Sequence, residues 1–136
     1  MARVHVETVH GPARRRIVKG LRAYNIGAVG KLDHKPLTIT VREGEDIVAG
    51  LAGETVLGWI FIDLLWVSGE KRRSGLGTAL MEKAEAEARK RGVRKAYLNT
   101  FSFQAPAFYK KLGYKQFGRL NDFPAGHSRH WMSKAL

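Results

Sequence analysis

Residues 56–80 read Val56-Leu-Gly-Trp-Ile-Phe-Ile-Asp-Leu-Leu-Trp-Val67, then Ser68-Gly-Glu-Lys-Arg-Arg-Ser-Gly-Leu-Gly77, then Thr78-Ala-Leu80. The first segment is apolar and bounded by turn residues, the pattern of a strand buried at the centre of a sheet. The second concentrates glycine where the chain must turn into a helix. From there Leu76, Ala79, Leu80, Ala84 and Ala88 recur at helical spacing, and Arg89-Lys90-Arg91 before Gly92 supplies a cationic last turn and a C′ glycine. A buried strand, a glycine-rich turn and an amphipathic helix in this order place the chain among α/β proteins.

The flanks extend that reading in both directions. Upstream, Val4, Val6 and Val9 predict a short strand, and Gly11-Pro12 opens a basic helix through about Ile26. Leu37–Val41 and Ile47–Leu51 form a hairpin around Arg42–Asp46, and Gly53-Glu54 ends its second strand before the apolar run. Downstream, strands are expected over Val93–Phe101, Tyr114–Leu120 and Ser128–Lys134, with a short helix from Ala105 to Leu112. The order is β-α-β-β-β, loop, α-β-α-β-β, in one domain covering residues 1–136.

Composition bounds the function. With 136 residues and 44% hydrophobic content, the chain can bury a core unaided. The absence of cysteine removes disulfide frameworks, thiolate metal sites and cysteine nucleophiles. No apolar stretch approaches a bilayer span and no leader-like segment opens the chain, so a soluble cytoplasmic protein without a membrane partner is expected. The formal charge is +12, and residues 61–136 carry fifteen basic against six acidic side chains, +9 of that total. Such a field concentrates polyanions: nucleic acid, anionic membrane or a phosphorylated cofactor.

The Ser68–Gly77 turn favours the last of these. Gly75 and Gly77 let a ligand approach the backbone, the first helical N–H groups lack intrahelical partners, and Lys71, Arg72 and Arg73 add charge beside them. A P-loop requires Gly-Lys-Ser/Thr and a dinucleotide fold requires Gly-x-Gly-x-x-Gly; neither sequence occurs here.

Arg72-Arg-Ser-Gly75-Leu-Gly77 resembles the [RQ]-x-x-G-x-[GA] acyl-CoA signature of the GNAT superfamily of N-acetyltransferases. Ser102-Phe-Gln-Ala-Pro-Ala-Phe-Tyr109-Lys-Lys-Leu-Gly113-Tyr114 is similar to that family's second signature, a short helix ending in Tyr-x-x-Leu-Gly-Phe/Tyr. The resemblance implies a mixed, mostly antiparallel α/β sheet, splayed between two central parallel strands and with helices on both faces. It further implies that acetyl-CoA binds as co-substrate, without a metal. Its pyrophosphate would lie on Arg72, Arg73, Ser74, Gly75, Leu76, Gly77 and Thr78, with its pantetheine arm along Leu65, Trp66 and Val67 and a further contact at Ser102. The acetyl group would pass directly to a primary amine of a small molecule in a ternary complex. Tyr109 matches the family tyrosine that acts as general acid toward the departing thiolate.

A general base is less clearly marked. Asp63 is the first candidate: a carboxylate in an apolar strand is either near water or raised in pKa, and a raised pKa suits a base. His127 and His130 are surface or acceptor-cleft residues; three apart on a strand, they face opposite sides and cannot share a zinc ion. Among Trp59, Trp66, Phe101, Phe103, Phe108, Phe123 and Trp131, most are expected in the core, with Phe123 and Trp131 open to an acceptor pocket. Asn99 and Gln104 either contact ligand or cap a turn. A peptide N-acetyltransferase, a non-catalytic acyl-CoA sensor and a basic nucleic-acid-binding module rank behind the small-molecule enzyme, and the last strand offers a pairing edge for a homodimer.

Overall fold

The computed structural model describes residues 1–136 as two units, residues 1–32 and residues 33–136. In the first, helix α1 (Gly11–Val29) carries Pro12 in its first turn, where the missing N–H has no helical partner to lose, and ends at Gly30. None of its side chains is buried. The strand expected over Val4–Val9 is absent: residues 1–10 form no strand and all three valines are exposed. Alternating β-branched residues stabilise a strand only against a neighbour that completes its hydrogen bonds and covers one face. No helix of the chain is long and apolar enough to cross a membrane.

The second unit is built on six strands rather than the seven suggested by the sequence. In chain order these are β1 (Lys35–Glu43), β2 (Asp46–Val56), β3 (Trp59–Val67), helix α2 (Leu76–Lys90), β4 (Lys95–Phe101), helix α3 (Pro106–Lys111), β5 (Lys115–Asn121) and β6 (Ser128–Ala135). The sheet runs β1-β2-β3-β4-β6-β5, antiparallel throughout except between β3 and β4. Because the β5–β6 hairpin inserts β6 beside β4, the last strand is interior. The free edges are β1 and β5, which corrects the expected C-terminal pairing edge.

The break expected at Gly53-Glu54 is not a chain reversal. β2 continues through both residues, and the turn falls at Leu57-Gly58, with φ of 51° and 86°. Two left-handed residues make the tight hairpin turn that matches sheet twist. Gly53 instead pairs with Ile62 inside the ladder, where a Cβ would lie 2.2 Å from the Phe61 carbonyl oxygen. The next pair is Ala52 with Leu64, so Asp63 is an extra residue in β3, a β-bulge.

That bulge resets the side-chain alternation. Ile60 and Ile62 are buried; beyond Asp63 the inward positions become Leu65 and Val67, which pack against the same core, while Leu64 and Trp66 are exposed. The core joins Leu37, Leu51, Ile60, Ile62, Leu98 and Met132 of the sheet to Leu80, Met81, Ala84 and Ala88 of α2, with Tyr109 of α3 and Tyr114 beside them. Burial of such a set is the main stabilising term of the unit.

Candidate active site

The parallel strands β3 and β4 pair only over Trp59–Ile62 and Lys95–Leu98. From Asp63 onward β3 stays on β2, with Val67 opposite Ala49, whereas Asn99–Phe101 of β4 stay on β6. The two strands therefore part where the bulge bends β3. Between them the β4-facing edge of residues 63–67 has no strand to complete it, and an extended chain with amide groups could hydrogen-bond there.

At the end of that edge lies the glycine-rich turn. A single 3₁₀ turn (Gly69–Lys71) follows β3, tied down by Ser68 N–H to Val48 C=O at 2.9 Å and by the Lys71–Glu43 ion pair at 3.0 Å. Ser74 Oγ–H donates to the Lys71 carbonyl and Arg72 Nε–H to that of Val67. Arg73 and Gly75 then adopt positive φ, 65° and 83°, and α2 begins without a side-chain cap. The first helical bond runs from Ala79 N–H to Gly75 C=O at 3.0 Å, so Leu76, Gly77 and Thr78 present N–H groups with no helical partner at the positive end of the dipole. The two glycines differ in purpose. Gly75 supplies the left-handed conformation in open space; at Gly77 a Cβ would come within 3.2 Å of the Phe108 ring, so its absence lets α3 close against the start of α2.

Tyr109 is placed by the end of α3. Gly113, with φ of 96°, closes the helix as Tyr114 N–H bonds Tyr109 C=O and Gly113 N–H bonds Lys110 C=O, both at 3.0 Å. This is a Schellman cap, whose usual companion is an apolar contact between the residues at either end of the longer bond. Here that pair is Tyr109 and Tyr114, ring centroids 6.1 Å apart. The Tyr109 ring is buried, yet its hydroxyl meets no protein partner and is not an orphaned buried atom, since the chain has none. The hydroxyl is therefore within reach of solvent. Burial pushes its pKa up to about 12, which keeps the phenol protonated near neutrality.

A profile of the acetyltransferase (GNAT) family matches residues 12–114. The chain belongs to that family. It is similar to acetyltransferase Atu2258 of Agrobacterium fabrum (strain C58), 36% identical over 123 residues that make up 90% of each chain. It also resembles the blasticidin-S acetyltransferase of Streptomyces morookaense, 37% identical over 100 residues covering 73% of this chain and 74% of that one. A crystal structure from Agrobacterium tumefaciens superposes with a TM-score of 0.93 at 34% identity, covering all of both chains. The protein is a GNAT acyltransferase, and its mixed six-stranded sheet with three helices is that of the family.

The other sequence-selected residues of this GNAT enzyme fall on both sides of the opening. Asp63 occupies the bulge and is exposed, so the cost of burying a carboxylate does not arise. Ser102 N–H donates to Ser128 C=O at 2.7 Å, and Ser102 Oγ accepts from Ser128 N–H at 3.0 Å and contacts His127 Nδ1 at 3.3 Å. It thus clamps the β4–α3 connection to β6. His130 is not at the surface: it is buried on the core face of β6 between Gln116 Oε1 at 2.6 Å and Ser128 Oγ at 2.8 Å. Burial first, then Arg119 and Lys110, lower its pKa. His127, by contrast, is exposed.

The aromatic expectation also needs correction. Trp66 and Phe103 are exposed, Trp66 on β3 beyond the bulge and Phe103 in the turn after β4, while Phe123, expected to be open, is exposed. Gln104 proves to be the turn cap, its Oε1 accepting Phe101 N–H at 2.9 Å. Two features escaped the sequence reading. One is the bulge itself. The other is a buried polar cluster in which Glu85 of α2 accepts Tyr114 O–H at 2.9 Å and pairs with Lys134 of β6 at 2.8 Å. Glu85 lies four residues after Met81 on the helix's apolar stripe, and an acid at a core position is the signal that could have exposed it.

Proposed function

We propose that this enzyme transfers the acetyl group of acetyl-CoA directly to a primary amine of a small molecule, in a ternary complex, from a single catalytic domain spanning residues 1–136 and acting in the cytoplasm. One observation carries the reading: β3 and β4 part to leave an uncovered strand edge, with unmatched α2 amides at its end. The diphosphate sits on the amides of Arg72–Thr78 with Arg72 and Arg73 beside it, as helix N-termini favour. The pantetheine amides complete the exposed edge at Leu65–Val67.

In the reaction the neutral amine nitrogen attacks the thioester carbonyl, a C–N bond forms, the carbonyl oxygen becomes an oxyanion, and its collapse expels the thiolate. Tyr109 O–H donates to that sulfur. A phenol at about 12 is a weaker acid than a thiol near 8.5, so handing over the proton alone is uphill by about 5 kcal/mol. The step balances when the nitrogen of the intermediate gives up its own proton in the same event. Asp63, exposed on β3 where the strands part, accepts that proton through water, and the phenolate left on Tyr109 regains a proton from solvent to close the cycle. Two alternatives, a peptide N-acetyltransferase and a non-catalytic acyl-CoA sensor, are separated from this reading by one experiment. Thiol release with acetyl-CoA is followed across a panel of small amines and peptide N-termini, with coenzyme A binding measured by calorimetry. Turnover of small amines supports the proposal; binding with turnover of peptides only, or of nothing, overturns it.

A further inference from the structure

Beyond Leu98, where β4 loses β3, its outward-facing residues Asn99 and Phe101 stand next to Trp131 and Arg129 of β6 in the ladder. The Arg129 guanidinium lies 5.0 Å from the centroid of Phe101, 5.1 Å from that of Phe123 and 5.1 Å from that of Trp131. Its Nε–H donates to Asn99 Oδ1 at 2.8 Å. No carboxylate of the chain pairs with it. Three rings and one amide thus fix the plane of a half-buried cation and occupy one of its five N–H groups, leaving the Nη groups without a protein acceptor. Partial desolvation by the rings raises the strength of any ion pair formed there, and the free Nη edge has the geometry of bidentate carboxylate recognition.

We propose that Arg129 determines acceptor specificity by binding a carboxylate carried by the amine substrate. This deepens the small-molecule reading above and rests on it. A lone cation matches a single negative charge better than the double charge of a phosphate. The site lies on β4 and β6 where β4 has lost β3, beside the opening between those strands, so one acceptor can place its amine at the thioester and its anionic end on Arg129. Asn99 is a positioning residue, holding the guanidinium by its inner nitrogen.

The test uses amines in matched pairs, free carboxylate against primary amide, with two readouts on wild type, Arg129→Gln and Asn99→Asp. Thiol release gives kcat/KM; the indole N–H signal of Trp131, followed by NMR during titration of the coenzyme A-loaded protein, reports occupancy beside Arg129 without turnover. Wild type is expected to favour the carboxylate member at least tenfold, and only that member shifts the Trp131 signal. In Arg129→Gln both discriminations collapse toward one. Asn99→Asp, which keeps the packing but gives the guanidinium an internal counter-charge, does the same while coenzyme A affinity stays constant. Turnover of both members at equal rates, or a Trp131 signal indifferent to every carboxylate, overturns the proposal and leaves small-amine acetylation standing. A silent panel whose carboxylates still shift Trp131 in wild type but not in Arg129→Gln overturns small-amine acetylation and retains the anion site.

Discussion

Tyr109 owes its position to a helix end. Tyr-x-x-Leu-Gly-Tyr is, in physical terms, a Schellman cap: Gly113 takes the left-handed turn that a side chain would resist, and Tyr114 returns to pack on Tyr109. Removing only the hydroxyl leaves that cap intact, so Tyr109→Phe is expected to lower kcat about 100-fold with coenzyme A affinity unchanged, as steady-state kinetics and calorimetry would show. The same residue makes an alkaline prediction. Its folded pKa of about 12 exceeds the unfolded value of 10, so its contribution to stability is complete below pH 10 and is lost as pH rises toward 12. Relative to Tyr109→Phe, wild type should lose roughly 2 kcal/mol of unfolding free energy over that window; parallel denaturation curves from pH 10 to 12 would contradict this. The tyrosine and its glycine were legible in the sequence because a cap is local. The environment that raises the pKa was not, because it is built from residues distant in the chain.

Among the elements, β3 does most to create the site. One inserted residue, Asp63, turns a strand that is buried at Ile60 and Ile62 into one with an exposed end, and Gly53 opposite is the partner that permits it. Alanine at position 53 would force the β2 backbone off the Phe61 carbonyl. Gly53→Ala is expected to cost about 1–3 kcal/mol and to weaken coenzyme A binding along with stability, read by urea denaturation and calorimetry on the same sample. A second element-level tie is Glu85 of α2 with Tyr114 and Lys134. Glu85→Ala strands a buried hydroxyl and a largely buried ammonium, an expected loss of about 3 kcal/mol, while Glu85→Gln, which still accepts from Tyr114, loses about 1 kcal/mol. Equal midpoints for the two variants would argue against the ion pair as the source. The strand is legible from its apolar run, the turn from its glycines and the helix from its periodicity, but a bulge leaves no trace in a continuous apolar run. Gly53 was read as a break because glycine marks reversals and close approaches alike.

For the molecule as a whole, the +12 charge has a calculable consequence. Arg72 and Arg73 beside the α2 amides are exposed, so their attraction for a diphosphate is screened over about 10 Å at 0.1 M salt. Coenzyme A affinity should fall steadily as salt rises from 0.05 to about 0.5 M, and Arg72→Gln with Arg73→Gln together should flatten that dependence; a salt-independent affinity would assign the cofactor's binding to the amides alone. Sequence by itself determined the class of the sheet, the glycine-rich start of α2 and the cap that holds Tyr109, because each is set by residues near one another in the chain. It failed at Val4–Val9, where alternation without a neighbouring strand stabilises nothing. Only the tertiary structure decided where β3 leaves β4, that β6 runs inside the sheet, that His130 is buried and that Arg129 stands among three rings. Those outcomes depend on register between strands far apart in sequence, and a one-residue change of register redirects every side chain beyond it.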